Sequence, residues 1–176
     1  DPIPQRTMAS LQDAGIDFRR GEARFTAPET LAVDGRRLEA RAYLLATGAR
    51  PMPLPFPGQE HFVDNVRFLD LEKLPRRIVF VGGGFISFEF AHIAARVGSR
   101  PTIIDHGPRP LKGFDPDLVD LLVERSTHAG INTHTDTSIV SVETHDNGYQ
   151  VTAEHDGEQN IIDTDLVVHG AGRISE

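Results

Sequence analysis

The sequence predicts an α/β fold in which a small parallel sheet carries helices and an antiparallel β-meander. Three observations support this prediction. From Arg77 onward, short apolar strand runs alternate with amphipathic helical segments, as in strand–helix–strand units. A glycine turn, Gly82 to Gly84, stands between the first of these strands and the helix that follows it. Further along, Asn147-Gly148 marks a hairpin, which places antiparallel strands after the strand–helix repeats.

The first part of the chain predicts a helix, a hairpin and a strand. Ile3 to Ala14 has apolar or small residues at rough helical spacing, and Gly15 is a helix stop. Asp34-Gly35 stands between two alternating runs, "TLAV" and "RRLEA", which is a strong short-range hairpin signal. The apolar run from Ala42 to Ala46 predicts a buried strand that leads into Thr47-Gly48.

The middle of the chain contains a connector. Arg50 to Gly58 holds four prolines, so this segment is predicted to be extended and is the best linker candidate. A short helix is predicted over Leu69 to Leu74, with Pro75 ending it.

The second part of the chain predicts the strand–helix units. Asp115 is an N-cap followed by proline at the first position of a helix that closes at Gly130. One further helix is predicted over Phe85 to Val97. The predicted strands are Ile78 to Val81, Thr102 to Ile104, Ile139 to Thr144, Tyr149 to Glu154 and Leu166 to His169.

Composition excludes several classes of function. The 176 residues, 39% of them hydrophobic, are enough for a buried core, and the net charge of -8 argues against a nucleic-acid partner. No apolar run approaches the roughly 20 residues needed to span a bilayer, so we expect no membrane partner and a cytoplasmic location. The absence of cysteine removes disulfides, thiolate catalysis and cysteine-ligated metals. Glu89-x-x-His92 has the spacing used in di-iron bundles but lacks the second such motif and the further carboxylates that this site needs. The other histidines show no metal-ligand spacing, so no metal site is predicted.

The motif that carries chemistry is Gly82-Gly83-Gly84-Phe85-Ile86-Ser87, placed just after a strand and just before a helix. Gly82 permits the tight turn, and Gly84 lets the backbone approach a pyrophosphate without a Cβ in the way. The helix N-terminus offers N–H groups and a positive dipole end to the phosphates. Ser87 replaces the third glycine of the pattern, which serves helix–strand packing, and a small residue fits there.

Asp105 completes this pattern at the end of the second strand, 21 residues after Gly84. A carboxylate there accepts hydrogen bonds from an adenosine ribose and repels a 2′-phosphate, which favours NAD over NADP. NADP stays open because His106, Arg109 and Lys112 follow closely. The alternatives are a stand-alone nucleotide-binding (sensing) module without turnover, an S-adenosylmethionine-binding domain, and glycines that only allow tight packing.

Four segments, in order, carry a family resemblance. They are "GEARF" from Gly21, "LLATGARPMPLPFPG", "VFVGGGFISFEFA" and "DLVVHGAGR". The sequence with these segments resembles the pyridine nucleotide–disulfide oxidoreductase family over nearly its whole length.

The resemblance implies a Rossmann-like NAD(P)-binding domain plus part of an FAD-binding domain. Residues 1–75 would be the partial FAD-binding domain with the proline-rich connector, 76–169 the NAD(P)-binding domain, and 170–176 the start of the return to the FAD domain. The family's N-terminal glycine turn, its C-x-x-x-x-C pair and its dimerisation domain are absent from this sequence, so we expect a central fragment of a longer protein.

The implied parent is an FAD-dependent NAD(P)H oxidoreductase, a homodimer that passes hydride from nicotinamide to flavin and on to a disulfide or another small-molecule acceptor. The fragment alone is expected to be inactive.

The resemblance also implies residue roles. Phe85 and Glu89 would be catalytic, because Phe85 covers the flavin face and Glu89 lies close to the nicotinamide carboxamide. The flavin adenine would be lined by Ala23, Ala46, Thr47 and Gly48. The dinucleotide would be bound by Gly82, Gly83, Gly84, Phe85, Ile86, Glu89, Asp105, His106 and Gly172.

Overall fold

The computed structural model describes residues 3–176, which divide between residues 46 and 47 into two compact units. The smaller unit consists of a helix and a three-stranded antiparallel sheet in the order β1-β2-β3. Its elements are α1 (Ile3–Asp13), β1 (Ala23–Ala27), β2 (Thr30–Val33) and β3 (Arg36–Glu39).

The helix and the hairpin predicted for this unit are confirmed. Gly15, just past the end of α1, is left-handed with φ of 74°. Asp34 and Gly35, which join β2 to β3, have φ of 46° and 81°. Two consecutive left-handed residues are what a two-residue hairpin turn needs to match the twist of its strands.

The strand predicted over Ala42 to Ala46 is wrong. These residues have no regular structure, and Leu44 and Leu45 are 94% and 68% exposed. A strand requires a hydrogen-bonded neighbour, and no strand in the described part of the chain pairs with this segment. Tyr43 anchors it instead, because the Tyr43 hydroxyl donates to Glu29 O (2.9 Å) and accepts from Ala40 N (3.0 Å).

The larger unit is built on a five-stranded parallel sheet and two antiparallel pieces. The parallel sheet has the order β5-β12-β6-β7-β8, the meander has the order β11-β10-β9, and β13 pairs with β4. The strands are β4 (Ala49–Pro51), β5 (Phe62–Val63), β6 (Arg77–Val81), β7 (Arg100–Ile104), β8 (Asn132–His134), β9 (Thr137–His145), β10 (Gly148–His155), β11 (Glu158–Thr164), β12 (Leu166–His169) and β13 (Arg173–Ser175).

Three α-helices belong to this unit: α2 (Asn65–Leu69), α3 (Phe85–Arg96) and α4 (Pro116–His128). The start of α4 is as predicted, since the Asp115 carboxylate accepts from the backbone N–H groups of residues 117 and 118. The helix predicted over Leu69 to Leu74 lies four residues earlier. It begins there because Asp64 is its N-cap and accepts from Arg67 N at 2.8 Å.

The meander also differs from the prediction in its first turn. Asp146 and Asn147 form the turn between β9 and β10, while Gly148 is the first residue of β10. A Cβ on Gly148 would overlap the carbonyl of Thr164 on β11. The glycine is therefore required by the close approach of the neighbouring strand and not by the turn. β11 itself was not predicted.

The core lies in two layers, one on each face of the parallel sheet. Ile78 and Phe80 of β6 pack with α3 and α4, whereas Val79 and Val81 pack with the meander. Successive side chains of a strand point to opposite faces, so this apolar run is buried on both sides. The unit thus has helices, parallel sheet and meander as its three layers, which confirms the predicted α/β class.

Within residues 3–176, no helix has the length and apolar character that crossing a membrane requires.

Candidate functional site

A cleft of about 270 Å³ opens where the chain leaves β6 and β12 at the carboxyl end of the parallel sheet. The chain runs from β6 to β7 and β8 on one side, while β12 lies on the other side of β6, so the strand order reverses here. Such a switch point is where open α/β sheets bind ligands. The cleft is lined by Gly82, Gly83, Gly84, Phe85, Asp105, His106, Leu111, Lys112, Phe114, Gly170, Ala171 and Gly172.

The three glycines of the turn have different surroundings. Gly82 has φ of 101°, and a Cβ on it would lie 2.5 Å from the Gly170 carbonyl oxygen. A Cβ on Gly83 would lie 2.7 Å from Pro110 Cβ and 2.8 Å from the Asp105 carboxylate. The protein's own packing therefore requires both of these glycines.

Gly84 is different, because the space in front of it is open. The nearest atom that a Cβ on Gly84 would meet is the Gly170 carbonyl oxygen, at 3.4 Å. Gly84 is also the N-cap of α3 and provides no side-chain hydrogen bond to the first turn of the helix. The positive end of the α3 dipole thus faces the cleft without a capping side chain.

Ser87 confirms the predicted packing role for the third position of the pattern. It is fully buried in the first turn of α3, and its Oγ has no hydrogen-bond partner. A Cβ on Gly170 would overlap this oxygen. The larger residue on α3 is therefore accommodated by the missing side chain at the end of β12.

Asp105 lies at the carboxyl end of β7 and is 7% exposed. Its backbone is fixed, because its N–H donates to His134 O (2.8 Å) and its carbonyl accepts from Thr137 N (3.0 Å). One carboxylate oxygen is 3.6 Å from His106 Nδ1. The Lys112 ammonium also lies near this carboxylate. A Cβ placed on Gly107 would be 3.2 Å from Lys112 Nζ and 3.6 Å from Asp105 Oδ2.

The remaining predicted dinucleotide residues are distributed over this end of the sheet. Phe85 lines the cleft and is 56% exposed, and Gly172 lines it with φ of 113°. Ile86 is half-buried and lines an adjoining depression of about 180 Å³ that shares Gly84 and Phe85 with the cleft. Glu89 is exposed one turn beyond Phe85 and does not line the cleft.

The residues predicted for the flavin adenine belong to different units. Ala23 and Ala46 lie in the smaller unit, whereas Thr47 and Gly48 lie in the larger one. In the larger unit, Thr47 Oγ1 donates to the carbonyl of Glu176 (3.0 Å), and Glu176 N donates to Gly48 O (3.1 Å). These two bonds continue the β4–β13 ribbon.

Several cleft residues were missed by the sequence reasoning. Leu111 and Phe114 line the cleft, and no motif pointed to them. Ala171 also lines it; this residue lies in the quoted segment "DLVVHGAGR" but was given no role. Arg109, noted as a candidate for a 2′-phosphate, instead donates to Asp120 on α4 at 2.9 Å. The "GAG" run at 170–172 was the available signal for the β12 side of the cleft.

His92 forms a hydrogen bond whose direction is fixed by its partner. Its Nε2 is 3.0 Å from Ser126 Oγ, and that hydroxyl already donates to Leu122 O at 2.7 Å. The hydroxyl must therefore accept from His92, so the pair joins α3 to α4 and is not a nucleophile with its base. Across residues 3–176, no three His, Asp or Glu side chains gather as metal ligands would.

A parallel sheet with a glycine turn and a helix N-terminus at its switch point defines the class of Rossmann-like α/β domains. The comparison with family models agrees with this class. Residues 2–176 match the family described as "Pyridine nucleotide-disulphide oxidoreductase", and the chain belongs to this family. The family comprises FAD-dependent oxidoreductases that use NAD(P)H.

Curated relatives carry three different names. The chain is 33% identical over 167 residues to a dihydrolipoyl dehydrogenase of Thermus scotoductus, covering 93% of this chain and 36% of the relative. It is 28% identical to a mercuric reductase of Staphylococcus aureus (93% and 30% covered) and 29% identical to a glutathione reductase of Nostoc (98% and 37% covered). The chain thus spans about a third of the length of these relatives.

A solved structure supports the same fold. The HOCl-induced flavoprotein disulfide reductase RclA from Escherichia coli superposes with a TM-score of 0.79 at 26% identity, covering 98% of this chain and 40% of that one.

Proposed function

We propose that this chain is the NAD(P)H-binding portion of an FAD-dependent oxidoreductase. The nicotinamide supplies hydride, the flavin accepts it, and the electrons go on to a disulfide or another small-molecule acceptor. The single observation that carries the proposal is the open space in front of Gly84, beside an uncapped helix N-terminus at the switch point of the sheet. Family membership supports the redox chemistry.

The fit of a dinucleotide follows from the chemistry of the cleft. Backbone N–H groups at the start of α3 and the helix dipole favour a pyrophosphate, which needs close backbone approach at Gly84. Neither Gly82 nor Gly83 can serve this approach, because protein atoms already occupy the space beside them. Asp105 lies beyond the turn, and its contact with His106 Nδ1, at 3.6 Å, is too long for a hydrogen bond. Its oxygens are therefore available to ribose hydroxyls.

Asp105 further favours NAD over NADP. A nearly buried carboxylate repels the additional phosphate of NADP. The neighbouring His106 side chain is exposed to solvent and offsets this repulsion only weakly. Among the described residues that line the cleft, Lys112 is the one with a permanent positive charge. Its ammonium and the Asp105 carboxylate both lie beside Gly107, so these two opposite charges offset each other.

Titration calorimetry of the chain with NADH, NADPH and S-adenosylmethionine tests the proposal. We expect saturable NADH binding below millimolar concentration, weaker NADPH binding and no S-adenosylmethionine binding. If neither NADH nor NADPH binds saturably, the proposal is wrong. If S-adenosylmethionine displaces NADH, the cleft is instead a site for this methyl donor.

A charge-removing pair of variants sharpens this test. Asp105→Asn should weaken NADH binding by about five- to tenfold, because an amide accepts hydrogen bonds less strongly than a carboxylate. It should weaken NADPH binding less, since repulsion of the phosphate is relieved. Asp146→Asn is the matched control, because Asp146 is an exposed turn residue in the left-handed region that asparagine tolerates. It should leave both affinities unchanged.

On the flavin side, we propose that Phe85 covers the flavin face and that Glu89 lies near the nicotinamide carboxamide. The exposure of both side chains, one turn apart on α3, supports this placement. We further propose that Ala23, Ala46, Thr47 and Gly48 lie along the flavin adenine and that the parent is a homodimer. Mixed with FAD and NADH, the chain alone should show no NADH oxidation at 340 nm above the protein-free rate, and turnover in this mixture would contradict the division of labour.

A further inference from the structure

We infer that Leu111 is a positioning residue of the cleft, and that the loop it holds presents Phe114 as the flat surface on which the adenine base stacks. This inference rests on the proposed function and concerns one end of the same site. The observations behind it are the backbone conformation of Leu111, its bond to the glycine turn, and the exposure of Phe114.

Leu111 has an unusual backbone. Its φ is 54°, a left-handed conformation that costs a residue with a large side chain roughly 1–2 kcal/mol. Two interactions hold it there. Its N–H donates to the carbonyl of Gly83 at 2.8 Å, and its side chain is 8% exposed within the core that contains Phe88 and Val119. Strain of this kind persists where the surroundings over-determine the conformation, and such positions cluster at binding sites.

The bond to Gly83 ties the loop after β7 to the glycine turn. The chain then reverses, because Phe114 N donates to Leu111 O at 3.1 Å and Gly113 is left-handed with φ of 96°. As a result, Lys112 and Phe114 both line the cleft. A loop without the Leu111 conformation would place these side chains elsewhere, so the left-handed residue fixes one wall of the site.

Phe114 is 61% exposed although it borders a cleft. Aromatic side chains gain free energy by stacking on flat heterocycles, and the gain does not depend on hydrogen bonds. The cleft residues Asp105 and His106 belong to the loop that follows β7, as Phe114 does, whereas Phe85 belongs to α3. Because Asp105 is suited to the adenosine ribose, the base should extend toward Phe114, and the nicotinamide should extend toward Phe85.

The chain contains no tryptophan, so a single tryptophan introduced at either aromatic position reports on its own surroundings. Phe114→Trp should show a saturable change in emission with ADP-ribose and with ADP. It should show no change with nicotinamide mononucleotide, which has no adenine. Phe85→Trp is the matched control and should respond to ADP more weakly than Phe114→Trp does.

Affinity measurements complete this part of the test. Phe114→Ala should weaken ADP-ribose binding by about tenfold, as expected for loss of one stacked base, and Phe114→Trp should restore it. Equal ADP-ribose affinity of wild type and Phe114→Ala, or an ADP response at position 85 instead of 114, would overturn the inference. A wild type that binds neither NADH nor ADP-ribose would instead count against the proposed function.

The role of the loop conformation is tested at Gly113, where packing is not at stake. A Cβ on Gly113 would meet no atom within 4 Å, and the same holds for Gly130, which has φ of 82° after α4. Gly113→Ala and Gly130→Ala therefore add similar backbone strain, and both should lower the melting temperature by a similar amount. Only Gly113→Ala should weaken ADP-ribose binding, by several-fold.

Two outcomes of the glycine comparison count against Leu111 as a positioning residue. One is equal ADP-ribose affinity of the two glycine variants. The other is wild-type affinity in Leu111→Gly, which frees the backbone at the strained residue itself. Reduced affinity in Leu111→Gly and in Gly113→Ala, with Gly130→Ala unchanged, supports it.

Discussion

The contact between Ser87 and Gly170 leads to a quantitative prediction about the stability of the larger unit. Gly170→Ala places a Cβ within 3.0 Å of Ser87 Oγ and 3.3 Å from both Ser87 Cβ and Gly82 O. Because Ser87 is fully buried, its hydroxyl has little room to move. Overpacking of this size costs about 1–3 kcal/mol, which corresponds to a fall in melting temperature of roughly 2–4 °C per kcal/mol for a chain of this length.

Removal of the serine hydroxyl should reverse this effect. Ser87 Oγ has no hydrogen-bond partner, and an unsatisfied buried polar group costs about 1–3 kcal/mol. Ser87→Ala should therefore be neutral or stabilising. In the double variant with Gly170→Ala, the two remaining contacts of the new methyl group are only slightly tight, so its stability should lie within about 1 kcal/mol of that of Ser87→Ala.

The assay is a double-mutant cycle in urea, with the free energy of unfolding obtained by linear extrapolation at unchanged m-value. We expect a coupling free energy of about 1–2 kcal/mol between the two positions. Additivity within about 0.5 kcal/mol would refute the reasoning, because it would mean that the added methyl group does not meet the hydroxyl. A strongly destabilised Ser87→Ala would also refute it, since the hydroxyl would then have a partner.

Three further predictions concern other contacts. Gly82 has a left-handed backbone, and the Cβ of Gly82→Ala would lie 2.5 Å from neighbouring backbone atoms. This variant should therefore lower the free energy of unfolding in urea by roughly 2–4 kcal/mol. Gly84→Ala should instead keep wild-type stability and lose NADH binding in calorimetry. The hydrogen bond from Arg77 holds the pKa of Asp165 below its usual value. The carboxylate therefore stabilises the fold at neutral pH, and this stabilisation declines as pH falls below about 3.9 and is lost as pH falls through the lowered pKa. Asp165→Asn should accordingly be destabilised in urea at pH 7, and its difference from wild type should shrink at pH 3; a constant difference would contradict this. His92→Ala removes the donor to a buried serine on α4 and should cost about 1 kcal/mol in the same assay.

Much of the fold was predictable because its signals are local. The Asp115-Pro116 start of α4 and the Asp34-Gly35 hairpin are both decided by residues next to one another in sequence. The same kind of signal stands at Asp156-Gly157, whose φ values of 50° and 79° mark the turn before β11. This turn was missed because β11 is the outer strand of the meander, and its mostly exposed residues show no apolar alternation.

At Ala42 to Ala46, by contrast, a strand was predicted and the structure has none. Its apolar letters meet the local requirement for a buried strand, but burial depends on a partner surface. In the described structure no strand pairs with this segment, and Leu44 is almost fully exposed. Local sequence therefore indicates what a segment is able to form, and the neighbours that it finds decide whether it does so.

In the candidate site, too, some features follow from neighbouring residues in the sequence and others depend on residues that are distant in the sequence. The fingerprint at 82–87 identified the turn and assigned the tight turn to Gly82 and close ligand approach to Gly84, but it did not indicate which atoms lie beside each glycine. In the structure, Gly82 and Gly83 are required by protein atoms, and these atoms come from segments that lie far away in sequence, at Gly170 and Pro110. Of these three described glycines, Gly84 is the one with open space beside it.

This division provides a physical criterion for interpreting such motifs. A glycine whose missing side chain is replaced by protein atoms is explained by folding, and its presence says nothing about a ligand. A glycine that faces open space at a helix N-terminus, with no left-handed backbone to require it, has no structural reason to lack a side chain. Gly84 has φ of -82°, which any residue adopts at low cost, so folding alone would accept alanine there. Gly84 and Asp105 are therefore the two residues that indicate a bound nucleotide, and binding measurements on Gly84→Ala test for it more directly than those on the rest of the turn.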